Sequence, residues 1–179
     1  MPGISGLNSL PAFGTFYLGA GREPLPGNEV KVATTRYYEL QSEQDTIDLA
    51  ERLAPLLRPG DLICLLGDLG AGKTFFAQAL GRFLGAEEEL DSPSFMLLKE
   101  YACRDFPLYH IDLYRLQHPG ELLDLGIHEL IETGVTLIEW PQRAGNLIPE
   151  HDLELRFSFD GLRRGVEITA GGRFAAHFS

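Results

Sequence analysis

Eight consecutive residues, Gly67-Asp68-Leu69-Gly70-Ala71-Gly72-Lys73-Thr74, set three glycines, a lysine and a hydroxyl at the spacing G-x-x-x-x-G-K-[ST]. Glycines let a backbone curl until successive N–H groups point at one anion. A helix that starts at the lysine adds its positive end to the same spot. Lys73 then brings a point charge to the β- and γ-phosphates, and the Thr74 hydroxyl is a magnesium ligand. The chemistry is phosphate binding, with ATP and Mg2+ as the expected ligands and every residue from Gly67 to Thr74 bordering the nucleotide. Phe75 follows where many such loops carry a second Ser or Thr. A hydroxyl for the α-phosphate is therefore missing, and the phenyl ring reads as a core residue.

A loop of this kind hydrolyses nucleotide only with acids nearby, one to hold magnesium and one to position or activate water. Two acids end apolar runs. Asp112 follows Leu108-Tyr109-His110-Ile111, and Glu139 follows Val135-Thr136-Leu137-Ile138. Acids at the carboxyl ends of buried parallel strands lie where such sheets bind ligands. Lys73, Asp112 and Glu139 are thus the candidate catalytic residues, and Thr74, Asp112 and Glu139 the candidate magnesium ligands. Trp140, the only tryptophan, either stacks on the base or packs in the core. The five histidines show no metal-ligand spacing, and no G-x-S-x-G nucleophile pattern is present. Guanine-nucleotide switches are disfavoured, because the chain has neither D-x-x-G nor N-K-x-D. A kinase for a small acceptor stays open, although Arg104, Arg115 and Arg143 form no cluster in sequence.

The elements that must hold these residues are legible in part. Residues 36–40 read as a short strand, and Ser42 as a helix N-cap with Asp45 three residues on. Ile47, Ala50, Leu53, Ala54 and Leu57 keep helical spacing up to Pro59-Gly60. Leu62 to Leu66 is a continuous apolar run, as for a strand buried on both faces. A helix is expected from about Lys73 to Leu84, with Phe75, Phe76, Ala79, Leu80 and Phe83 as its buried stripe. Strands are expected at 94–101, 108–111 and 135–138, with one or two short helices over 119–131. Residues 153–159 and 166–170 alternate around Asp160-Gly161, which is a hairpin pattern. Strands alternating with helices make this an α/β chain.

The bulk composition agrees with that class. The 179 residues are 44% hydrophobic and 23% charged, enough for one domain with a real core. Residues 1–34 are rich in Gly, Pro and Ser and are expected to form a disordered extension ahead of a domain at 35–179. Phe13, Phe16 and Tyr17 keep open a targeting or docking arm instead. Fifteen basic residues against 26 acidic ones leave a net charge of −11. That surface repels nucleic-acid phosphates, so any work on RNA is expected to go through a partner. Cys64 and Cys103 stand in no metal or redox spacing. No apolar run approaches the roughly 18 residues of a membrane helix, and the N-terminus has no signal-peptide pattern. A cytoplasmic protein with no membrane association is expected.

The blocks taken together resemble a known family. GDLGAGKT, then Ser92-Pro93-Ser94-Phe95, His110-Ile111-Asp112-Leu113-Tyr114-Arg115-Leu116, Glu121-Leu122, Leu125-Gly126 and Leu137-Ile138-Glu139-Trp140-Pro141 are similar in order and spacing to TsaE. The similarity covers about residues 38–170. TsaE is the ATPase subunit of the bacterial machinery for threonylcarbamoyladenosine in tRNA. The resemblance implies a single three-layer α/β P-loop NTPase domain with a mixed central sheet. It implies Thr74 and Glu139 on magnesium, Asp112 acting on metal or water, and Ser94 in a switch-like S-P-T-[FY] motif that normally carries threonine. It brings Trp140 close to the nucleotide, and the start of the first helix, including Thr46, to the adenosine end. A basic residue of the last hairpin joins it there, either Arg163 or Arg164, with Arg163 taken first. The implied partners are TsaD-like and TsaB-like proteins, with tRNA engaged only indirectly. Hydrolysis is expected to be weak without them. The competing readings are the small-molecule kinase and a nucleotide switch that needs no hydrolysis.

Overall fold

The computed structural model describes residues 33–93 and 96–178. Seven strands form one mixed sheet in the order β1-β7-β6-β2-β5-β4-β3. They are β1 (Thr34–Leu40), β2 (Leu62–Leu66), β3 (Leu98–Tyr101), β4 (Leu108–Asp112), β5 (Val135–Glu139), β6 (Leu153–Asp160) and β7 (Arg163–Ala170). The helices are α1 (Glu43–Leu53), α2 (Lys73–Leu84), α3 (Glu121–Asp124) and α4 (Ile127–Thr133). The four central strands β6, β2, β5 and β4 run parallel. The outer strands β7, β1 and β3 join antiparallel to their neighbours.

Burial explains the sequence pattern. Strands β2, β4 and β5 are buried along their whole length, so they carry no polar alternation. Ile63 and Leu65 face one core with Ala50, Leu53, Phe76, Ala77 and Leu80 of α1 and α2. Leu62 faces the opposite way, with Ile111 and Ile138, onto Leu122 and Ile127 of α3 and α4. Helices therefore cover both faces of the sheet, giving three layers around a mixed sheet as the resemblance implied.

Local signals account for the boundaries. The Ser42 side chain accepts from the Asp45 N–H, and Asp45 Oδ2 accepts from the Ser42 N–H at 2.8 Å, which closes a capping box on α1. Gly85 ends α2 in a left-handed conformation. Asp160 pairs with Arg163 around Gly161-Leu162, so the last hairpin has a two-residue turn.

Several boundaries move from the sequence expectation: β7 begins at Arg163 rather than 166, and the first helix ends at Leu53 and gives way to a 3-10 turn at Ala54–Leu56. Strand β1 starts at Thr34, which pairs with Ala170 at the rim of the sheet; the remainder of the expectation for the N-terminal segment lies outside the described residues. The strand expected at 94–101 begins only at Leu98. Ahead of it the N–H groups of Met96 and Leu97 both turn back to Pro93 O at 2.8 Å, and Leu97 takes a positive φ of 63°. That turn consumes the donors a longer strand would have used.

Candidate nucleotide site

The chain runs from β2 through α2 out to β3 and β4, returns to β5 beside β2, and then crosses to β6 on the other side of β2. The strand order reverses around β2, and the crevice at its carboxyl end is where open α/β sheets take ligands. The glycine-rich loop leaves β2 at that point. Gly67, Gly70 and Gly72 all have positive φ. At Gly67 the need is absolute, because a Cβ there would stand 2.3 Å from Phe157 O of the adjacent strand. The loop carries the chain straight into the first turn of α2, with Gly72 as its N-cap.

Strands β4 and β5 deliver the acids side by side. Asp112 pairs with Glu139 in register, each the last residue of its strand, and each nearly fully buried. Thr74 Oγ1 donates to Glu139 at 2.9 Å to Oε1 and 3.2 Å to Oε2. His110 Nε2 lies 3.0 Å from the same Oε1. Asp112 accepts from Ser92 Oγ at 2.6 Å and from the Tyr114 N–H at 2.9 Å. Lys73 is only 4% exposed. Its ammonium donates to Gly67 O at 2.7 Å and Asp68 O at 2.9 Å and lies 4.0 Å from the centre of the Trp140 ring. Burial pushes the Lys73 pKa down from the usual lysine range, against the pull of Glu139, Asp112 and Asp68. An anion entering the loop relieves that cost.

These groups border one cleft of about 270 Å3, lined by Leu69, Gly70, Gly72, Lys73, Thr74 and Phe75 of the loop and helix, with Ser92, Asp112, Tyr114, Glu139 and Trp140 opposite. Phe75, expected in the core, is half-buried and lines this cleft. Gly67, Asp68 and Ala71 support the loop from behind; the first two lend their carbonyls to Lys73. Trp140 adopts a left-handed backbone, φ 59°, which turns its ring between Lys73 and Tyr114, the two aromatic centroids 5.1 Å apart.

The predicted residues do not all meet. Thr46 is buried on α1 and does not line the cleft. Arg163 is exposed on the hairpin, whereas its neighbour Arg164 donates from Nη1 to Gly70 O at 3.0 Å. The alternation along β7 sends 164 toward the loop and 163 away from it. Ser94 lies outside the described residues. The sequence reading missed His110, Ser92 and Tyr114 as members of the site. His110 was findable, since i and i+2 on a strand share a face and Asp112 is two residues on.

The donor set fits magnesium. A hydroxyl and two carboxylates are hard oxygen ligands, and Mg2+ is commonly held by one or two carboxylates together with nucleotide phosphates and water. Among the described residues no cluster of three or more His, Cys, Asp or Glu side chains forms a cage by itself, which suits an ion that arrives with its nucleotide.

The family described as "Threonylcarbamoyl adenosine biosynthesis protein TsaE" matches residues 40–165. The chain belongs to the TsaE family. Among its relatives, the tRNA threonylcarbamoyladenosine biosynthesis protein TsaE of Rickettsia bellii is 40% identical over 132 residues, covering 73% of this chain and 92% of that one. The protein of the same name from Treponema pallidum is 41% identical over 72% of this chain and 95% of its own length. That of Bacillus subtilis is 38% identical over 72% and 82%. The crystal structure of YdiB from Bacillus subtilis superposes with a TM-score of 0.68 at 29% identity, over 82% of this chain and 93% of that one. The fold of this chain is thus shared with that structure. Among the described residues no helix is long and apolar enough to cross a membrane.

Proposed function

We propose that this protein binds ATP with Mg2+ and hydrolyses it as the ATPase subunit of the machinery that places threonylcarbamoyl on adenosine in tRNA, working in the cytoplasm with TsaB-like and TsaD-like proteins. The observation that carries the reading is the convergence of Thr74, Glu139 and Asp112 beside Lys73 at the mouth of the glycine-rich loop. Lys73 exchanges the carbonyls of Gly67 and Asp68 for phosphate oxygens. Thr74 and the two carboxylates would hold the cation that accompanies the nucleotide, and one of the carboxylates would orient the attacking water. Magnesium, when bound with ATP, neutralises charge that develops on the phosphates. The nucleotide belongs in the cleft because the loop N–H groups and the start of α2 face it.

Among the described residues no arginine lines the cleft, which supports slow turnover by the chain alone. A partner's arginine would supply what is missing. The net charge of −11 supports an indirect role toward tRNA.

The test is mass spectrometry of tRNA nucleosides after depletion of the protein in its own cells. Loss of threonylcarbamoyladenosine, restored by the intact chain and not by Glu139→Ala, is the expected result. Rescue by Glu139→Ala would leave a nucleotide switch without required hydrolysis. Unchanged levels under full depletion would refute the pathway and favour the small-molecule kinase.

A further inference from the structure

His110 is completely buried on β4. It stands two residues before Asp112 and pairs in register with Leu137 of β5, so it shares a face with both acids. Its Nε2 lies 3.0 Å from Glu139 Oε1. A carboxylate can only accept, so Nε2 carries the hydrogen. Nδ1 is buried with no hydrogen-bond partner among the described residues. A residue that merely filled this space would be apolar, because an orphaned buried nitrogen is a cost that packing does not return.

Glu139 has two side-chain donors among the described residues, Thr74 and His110. The Thr74 hydroxyl is the one that a cation would claim. The imidazole N–H then remains as the donor that fixes the carboxylate. We propose that His110 is the positioning residue for Glu139: its Nε2–H tautomer holds Oε1, the oxygen that the Thr74 hydroxyl also reaches at 2.9 Å, and so keeps the carboxylate turned toward Thr74 and the metal of the bound nucleotide. This rests on the reading of Glu139 as a ligand of that metal.

The experiment uses the full chain, Mn2+ as the metal and AMPPNP as a nucleotide that is not hydrolysed. Affinity is measured by calorimetry in EDTA and again with Mn2+, and the gain between the two is the readout. For His110→Leu the gain is expected to fall about 10- to 100-fold, the usual loss when a ligand's supporting hydrogen bond is removed, while affinity in EDTA stays within about two-fold. His110→Gln, whose amide N–H reaches the same oxygen, is expected to recover most of the gain. A folded His110→Leu variant with an undiminished gain would overturn the proposal. If that variant does not fold, 15N spectra of labelled histidine in the unmodified chain decide. The Nε2–H tautomer at His110 supports the bond to Glu139, and the Nδ1–H tautomer overturns it. A wild-type chain with no gain from Mn2+ would refute the metal reading of the site, and the tautomer would still report on the histidine.

Discussion

Lys73 is poised against its own loop. Its ammonium is tied to Gly67 O and Asp68 O and rests over the Trp140 ring. Any anion that draws Lys73 forward changes the surroundings of the only tryptophan in the chain. Tryptophan emission is therefore expected to change on addition of ATP, and fluorescence titration checks it. A Lys73→Met variant should bind ATP at least about ten-fold more weakly, the loss of one charge-assisted contact to phosphate. The two hairpin arginines separate cleanly. Arg164 reaches Gly70 O and Arg163 does not. Arg164→Ala is expected to weaken nucleotide binding about three- to ten-fold and Arg163→Ala to leave it within about two-fold, read by calorimetry. These residues also mark what sequence can and cannot give. The loop, Asp112 and Glu139 were legible because covalent spacing alone fixes them. Arg164 against Arg163 was not, because it depends on which face of β7 meets the loop, and pairing register is a tertiary fact. His110 was legible only through its i, i+2 spacing to Asp112, which places both on one face of β4.

At the scale of elements, close approach of backbones at Gly67 adds to the side-chain bonds that Lys73 and Arg164 make to the loop carbonyls. Gly67 sits at φ 130° with Phe157 O where a Cβ would be, whereas Gly70 at φ 79° faces open space. Gly67→Ala should therefore cost about 3 kcal/mol or more, combining strain and overlap with an immovable carbonyl. Gly70→Ala should cost about 1 kcal/mol, from conformation alone. Urea unfolding of the two variants measures the difference, and equal losses would mean that β6 yields at Phe157. Phe157 cannot move freely, since its ring packs 5.6 Å from Phe76 of α2 in the core. The helices and the buried strands β2, β4 and β5 were legible from caps and apolar runs. Strand β3 was not placed correctly, because Pro93 read as the end of the preceding loop, and the return of the Met96 and Leu97 N–H groups to its carbonyl leaves no sequence signal. The C-terminal 3-10 turn Gly172–His177 escaped as well. It is held by tertiary contacts, with Phe174 buried and Arg173 paired to Asp61, rather than by local propensity.

For the molecule as a whole, charge decides how it meets a partner. The chain carries an excess of 11 acidic over basic residues. In the run Glu87-Glu88-Glu89, Arg82 pairs with Glu89 and Lys99 lies 3.6 Å from Glu88, so that part of the surface is partly neutralised. Such exposed pairs contribute little stability, yet they lower the local field. The remaining excess acts over the distance set by salt, about 10 Å at 0.1 M. A strongly acidic subunit that docks on a tRNA-modifying core meets a surface built to attract phosphate, and opposite charge accelerates that encounter. Raising salt from about 50 to about 300 mM should therefore slow association with a TsaB–TsaD core by about ten-fold or more, with a smaller change in dissociation. ATP affinity of the isolated chain, governed by the buried Lys73 and the loop N–H groups, should fall much less. Surface plasmon resonance on the core, with fluorescence titration of the free chain as reference, separates the two. Association that ignored salt would assign docking to apolar contacts. Added tRNA supplies the complementary arm: if both ligands use the same basic surface, tRNA should compete with docking at low salt and lose that effect as salt is raised.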